Sequence, residues 1–125
     1  MSEKNNSQKS KHHEQYNDFR QLLKQITTDK KQLTKKQILK EISRAYIEKY
    51  PAHKIWFAEK LGKRLSYITG NGREKFLSPE KIHISGNLFL LIQAEKPPPK
   101  KVKKTLIQIT QSLIHHTTRD KNNSH

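Results

Sequence analysis

The apolar residues of this chain change period at Gly62, and that change constrains the fold more than any other feature. Upstream they recur at helical spacing. Tyr16, Phe19, Leu22, Leu23 and Ile26 fall three and four apart, which predicts a helix over about 15–26. Thr34-Lys35-Lys36-Gln37 fits a capping box: Thr34 can cap a helix start while Gln37 reaches back to the Thr34 backbone. The helix this opens, about 35–50, shows Ile38, Leu39, Ile42, Ala45 and Tyr46 on one face. Pro51 either stops it or opens the next helix at its first position. Ile55, Trp56, Ala58 and Leu61, with Phe57 on the flank, keep the helical period and predict a third helix over about 52–61, which Gly62 would terminate.

Downstream the period falls to two. Leu65, Tyr67 and Thr69 alternate with Ser66 and Ile68; Gly70-Asn71-Gly72 is a turn signal, and Glu74 to Leu77 is the candidate return strand. Lys81-Ile82-His83-Ile84 alternates cleanly, Ser85-Gly86-Asn87 turns, and Leu88 to Ile92 reads as a buried strand. Helices followed by strands place the chain in the α+β class, with a small antiparallel sheet over about 64–93.

The remaining segments are set by composition. Residues 1–13 are polar, with no aliphatic side chain after Met1, and residues 117–125 read the same way, so both are expected to be disordered. A small basic α+β domain over 14–94 would join, through the Pro/Lys linker 95–101, an amphipathic helix over 102–116. The prolines Pro97, Pro98 and Pro99 favour an extended spacer. The stripe Val102, Leu106, Ile109, Leu113 of that helix needs a partner surface, supplied either by the domain itself or by another chain.

Charge narrows the function. The sequence holds 26 Lys and Arg against 11 Asp and Glu, a formal net charge of +15. A compact domain tolerates such self-repulsion best when it meets a polyanion, and nucleic acid is the first expectation, DNA ahead of RNA. An anionic membrane surface comes second. There is no cysteine, which excludes disulfides and thiol chemistry. No apolar run approaches the length of a membrane span, and the N-terminus lacks an apolar signal core, so the expected location is the cytoplasm. No Ser-His-Asp set, carboxylate pair or metal-ligand spacing emerges: no catalytic residue, metal or cofactor is expected, and the chain reads as a non-enzymatic binder.

Phe57-Ala58-Glu59-Lys60-Leu61-Gly62 resembles the first half of a helix-turn-helix, the Leu-Ala-x-x-Leu-Gly pattern of the phage-repressor-like family. There a small Ala lets two helices approach and Gly makes the turn. The resemblance implies a reading helix that begins at Lys63, held by Ile68, with Lys63, Arg64, Ser66, Tyr67 and Thr69 on or near its groove-facing surface. The sequence departs from that family at Lys63, where an apolar residue is usual, and at Gly70-Asn71-Gly72, which would end the helix early. The competing reading of the same stretch is a winged-helix-like hairpin, with Arg73 and Lys75 at its tip and Lys63 and Arg64 at its base.

Both readings share one set of phosphate contacts. Lys35 and Lys36 belong to a basic patch with Lys30, Lys31 and Lys40; Lys60, Lys63, Arg64, Arg73 and Lys75 surround the ambiguous stretch; Lys100, Lys101, Lys103 and Lys104 form a basic arm. Tyr67 is the candidate for stacking on a base, while Trp56 and Phe57 are expected in the core. The function expected from the sequence is a nucleic-acid-binding regulator or accessory factor. The alternative is an assembly adaptor that docks a protein partner, or a second copy of itself, through the 102–116 helix.

Overall fold

The computed structural model describes residues 2–29 and 33–123, with side chains over 13–26 and 33–115. The chain runs α1 (Ser2–Asp29), α2 (Lys35–Lys49), β1 (Lys54–Leu61), β2 (Arg64–Gly72), β3 (Glu80–Ser85), β4 (Leu88–Gln93) and α3 (Lys100–Asn123). The strands form one antiparallel sheet in the order β2-β1-β4-β3, so the class is α+β.

Each helix forms where its apolar stripe predicts it. The capping box opens α2: the Thr34 amide donates to Gln37 Oε1 at 2.8 Å, and the Gln37 amide donates to Thr34 Oγ1 at 3.2 Å. Tyr50 ends that helix, its amide bonded to the Tyr46 carbonyl, and Pro51 lies outside it. Phe19 of α1 sets its ring edge-on to Tyr46 and Tyr50, at centroid distances of 6.0 and 5.4 Å. On α3, Val102, Leu106 and Leu113 are buried in the same core, so the stripe of the C-terminal helix is covered by its own domain. Tyr16 ties α1 to α3 through a 2.7 Å hydrogen bond between its hydroxyl and Thr105 Oγ1.

The outer helices run further than expected. The backbone of α1 is helical from Ser2 and that of α3 to Asn123, across both segments expected to be disordered. No Gly or Pro interrupts either stretch, and the docked turns supply the nucleus from which helix propagates. Between β4 and α3 the proline segment lies on the domain: Pro98 is buried, and the Pro99 carbonyl accepts from the Lys103 amide at 3.0 Å.

The third expected helix is absent; residues 54–61 form β1 instead. In β1, Ile55 and Phe57 point into the core, while Trp56 and Ala58 point to the opposite face. A strand in the middle of a sheet can carry apolar residues on both faces, and such a run imitates helical spacing over two turns. Gly62 does not cap a helix. With φ of 65° it takes the first central position of the two-residue turn Gly62-Lys63 that joins β1 to β2. Gly86, at φ 50°, does the same in Gly86-Asn87 between β3 and β4, where the sequence had placed a turn. A positive φ at the first position alone is the type II′ pattern, which matches the strand twist.

β2 then continues through Gly70-Asn71-Gly72, where a turn was expected. A Cβ on Gly70 would meet the Ile55 carbonyl oxygen and Trp56 Cβ, and one on Gly72 the His53 carbonyl oxygen. These glycines therefore serve close backbone approach to β1 rather than reversal of the chain. Residues 73–79 are not a return strand; they cross from β2 at one edge of the sheet to β3 at the other. Each edge strand carries one extra residue against its neighbour, at Ile68 and at Ile84. Bulges on edge strands discourage pairing with other chains.

Candidate nucleic-acid interface

The helices cover one face of the sheet and leave the other open. On the covered face lie Ile55, Phe57, Ile82, Ile84, Leu90 and Ile92, all in the core. Residues paired directly across antiparallel strands share a face, so the strand register specifies the open side. One row across it reads Tyr67, Ala58, Phe89, His83; the next reads Gly70, Trp56, Leu91, Lys81. Lys54 pairs with Gln93 at one end, and Lys60 with Leu65 toward the Gly62-Lys63 turn.

The bulge at Ile68 sets this arrangement. Without it the alternation of Leu65, Tyr67 and Thr69 would keep all three on one face. With it, Thr69 pairs with Phe57 on the core side and is buried, whereas Tyr67 pairs with Ala58 on the open side and is 57% exposed.

Cations stand directly over these rings. Lys54 Nζ lies 5.0 Å from the Trp56 ring centroid and 5.4 Å from that of Tyr67; Lys81 Nζ lies 5.4 Å from that of Phe89. An ammonium held over an aromatic face is stabilised by the ring quadrupole and stays available to a phosphate. Among the described residues, no carboxylate lies within ion-pairing distance of Lys54, Lys60, Lys63, Arg64, Arg73, Lys75 or Lys81.

The crossover overhangs the Gln93 end of the same face. Gln93 is buried, and its side chain accepts from the Lys75 amide (3.1 Å) and donates to the carbonyls of Lys75 (3.0 Å) and Leu77 (2.8 Å). These bonds fix the loop backbone while Phe76 stands fully exposed at its apex. The exposed large hydrophobic residues among those described, Leu61, Leu65, Tyr67, Phe76 and Leu77, all fall in the β1–β2 hairpin and this crossover. Apolar surface concentrated in one region and rimmed by charge marks a binding surface.

The residues expected from the sequence divide into two groups. Lys60 and Tyr67 lie on the open face; Lys63 and Arg64 sit at the hairpin tip, with Arg64 paired to Leu61 on the reverse side; Arg73 and Lys75 come in on the crossover. This is the hairpin reading with its tip moved from Gly70-Gly72 to Gly62-Lys63; the reading helix is absent, since residues 64–72 are strand. The second group lies on the helical side. Lys35 and Lys36 are exposed in the first turn of α2, and Lys30 and Lys31 fall outside the described residues. In the arm, Lys101 Nζ lies 4.2 Å from the Tyr16 ring centroid and Lys103 is ion-paired with Glu80, while Lys100 and Lys104 are exposed.

Four residues of the open face were missed: Lys54, Lys81 and Phe89 outright, and Trp56 because it was assigned to the core. Alternation held the signal for three of them, since Lys81 and His83 flank Ile82 just as Lys54 and Trp56 flank Ile55.

A groove of about 570 Å³ lies between α1, the end of α2 and the proline segment, with Tyr16, Tyr46, Tyr50 and Pro98 in its wall and no carboxylate. Among the described residues, no cluster of three His, Asp or Glu is placed to hold a metal ion, and no helix is long and apolar enough to cross a membrane. Comparison with protein-family models, curated proteins and solved structures returns no match.

Proposed function

We propose that this chain is a non-enzymatic nucleic-acid-binding protein whose contact surface is the open face of the sheet. One observation carries the reading: on a face that the helices leave bare, cations without acidic partners stand beside aromatic rings, Tyr67 exposed and Trp56 and Phe89 partly so. A phosphate backbone supplies the missing negative charge, and bases supply flat apolar partners for the rings.

The alternative of an adaptor that docks through its C-terminal helix loses its main support, because Val102, Leu106 and Leu113 are occupied internally. A regulator that inserts a recognition helix has no element to do so at residues 63–69.

Binding to a polynucleotide measured over a salt series tests the proposal. If the open-face, hairpin-tip and crossover cations all meet phosphates, log K falls against log salt with a slope of about −5 to −6. An affinity that hardly changes with salt, or no binding to DNA or RNA of any form, overturns it.

A further inference from the structure

We infer that the open face selects a single strand over a duplex, holding unpaired bases on Tyr67, Trp56 and Phe89; this rests on the nucleic-acid reading above. In a duplex the base faces are stacked on one another and only their edges and the phosphates are presented, so exposed rings gain nothing from them. In an unpaired strand every base has a free face, and stacking on aromatic side chains is the general means of holding it.

The geometry of the face suits that task. Tyr67 and Phe89 stand on either side of Ala58 in one row, two strand spacings or about 10 Å apart. Ala58 is only 1% exposed, covered by its neighbours, so the rings on either side rather than the small residue between them present the surface, and each can take a separate base. Trp56 lies one row along, and Phe76 projects from the pinned crossover at that end. Such a platform accommodates roughly two or three bases.

The ammonium groups of Lys54 and Lys81, held over these rings in the free protein, lie where the phosphates between stacked bases run. Binding then exchanges each cation–ring contact for one cation–phosphate and one base–ring contact. The chemistry is common to single-stranded DNA and RNA, which differ by the sugar hydroxyl.

Trp56 is the sole tryptophan of the chain and sits on the surface in question, so its fluorescence reports binding directly. The protein is titrated at fixed salt with a short oligothymidine, the matching oligouridine and a blunt duplex of equal length. The inference expects Trp56 emission to be quenched by at least one single strand, which binds about tenfold or more tighter than the duplex. Tyr67→Ala and Phe89→Ala each weaken that binding about tenfold and leave the salt slope unchanged, while Tyr67→Phe, which keeps the ring, retains affinity. The tighter of the two single strands assigns the sugar. Duplex binding as tight as single-strand binding, with both alanine variants silent, overturns the inference and leaves nucleic-acid binding standing. Binding to none of the three overturns both. Trp56 quenching that grows with protein concentration in the absence of nucleic acid, the mark of two copies meeting through this face, also overturns it.

Discussion

The two faces of the sheet are made from alternate residues of the same four strands, and they solve opposite problems. The covered face is aliphatic with one large ring, Phe57, and the helices α2 and α3 close over it. The open face keeps rings and cations side by side: Trp56 under Lys54, Phe89 under Lys81, and Tyr67 more than half exposed. Aliphatic groups exclude water and hold the fold together; rings topped by ammonium groups keep a surface soluble while they wait for a partner. Stability and recognition are thus separated by the two-residue period of the strand.

The largest test of that separation uses adjacent residues. Phe57→Ala empties a fully buried site and lowers the unfolding free energy by about 3–5 kcal/mol, read by urea denaturation. Trp56→Ala, one position along on the open face where the ring is partly buried, lowers it less, by about 1–2 kcal/mol. Equal losses would erase the distinction between the faces.

A smaller loss comes from Gly70→Ala. The added methyl meets backbone and Trp56 Cβ together, so β2 must move off β1, at a cost of about 1–3 kcal/mol in the same assay. The Trp56 emission of the folded variant shifts with it. A neutral Gly70→Ala would mean that the edge strand is not held as closely as its register implies.

Alkaline titration read by tyrosinate absorbance probes the covered side, because that signal excludes the lysines that titrate over the same range. Burial pushes the phenols of Tyr46 and Tyr50 above their ordinary value. The folded protein therefore keeps protons that the unfolded chain loses above about pH 10. Their contribution to stability is complete below that pH and declines above it, by up to about 1.4 kcal/mol per pH unit for each phenol. Tyrosinate absorbance in which Tyr46 and Tyr50 of the folded protein ionise together with the phenols of the unfolded chain would contradict the packing of these rings.

The smallest effect on stability is expected where the effect on binding is large. Lys60→Glu and Lys63→Glu lie in and beside the exposed hairpin turn, so each changes unfolding by no more than about 0.5 kcal/mol. Each removes a phosphate contact and flattens the salt slope by about 1. A slope unchanged by both variants would take the hairpin out of the interface.

How much of this was legible depended on whether the signal was local. The β3–β4 hairpin was readable because Gly86-Asn87 sits between two apolar runs, and α2 because its cap is written in four consecutive residues. The β1–β2 hairpin was misplaced because Ile55, Ala58 and Leu61 satisfy a helix as well as a two-faced strand. Gly62, Gly70 and Gly72 each signal a turn, yet one turns the chain and the other two let strands approach. Lys60, Lys63, Arg64, Tyr67, Arg73 and Lys75 were found together because they are neighbours in sequence. Lys54, Lys81 and Phe89 were not, because strand pairing brings them in from other parts of the chain, and pairing follows from a register that a single residue at Ile68 can shift.

Amide chemical-shift mapping on addition of a short single-stranded oligonucleotide tests the central claim most directly, since it reports both sides of the molecule at once. The account predicts shifts at Lys54, Trp56, Ala58, Lys60, Tyr67, Lys81 and Phe89 and along the 73–77 crossover, with the amides of Lys35, Lys36 and the Lys100–Lys104 turn little changed. Shifts confined to those helix-side lysines, with the open face silent, would contradict it.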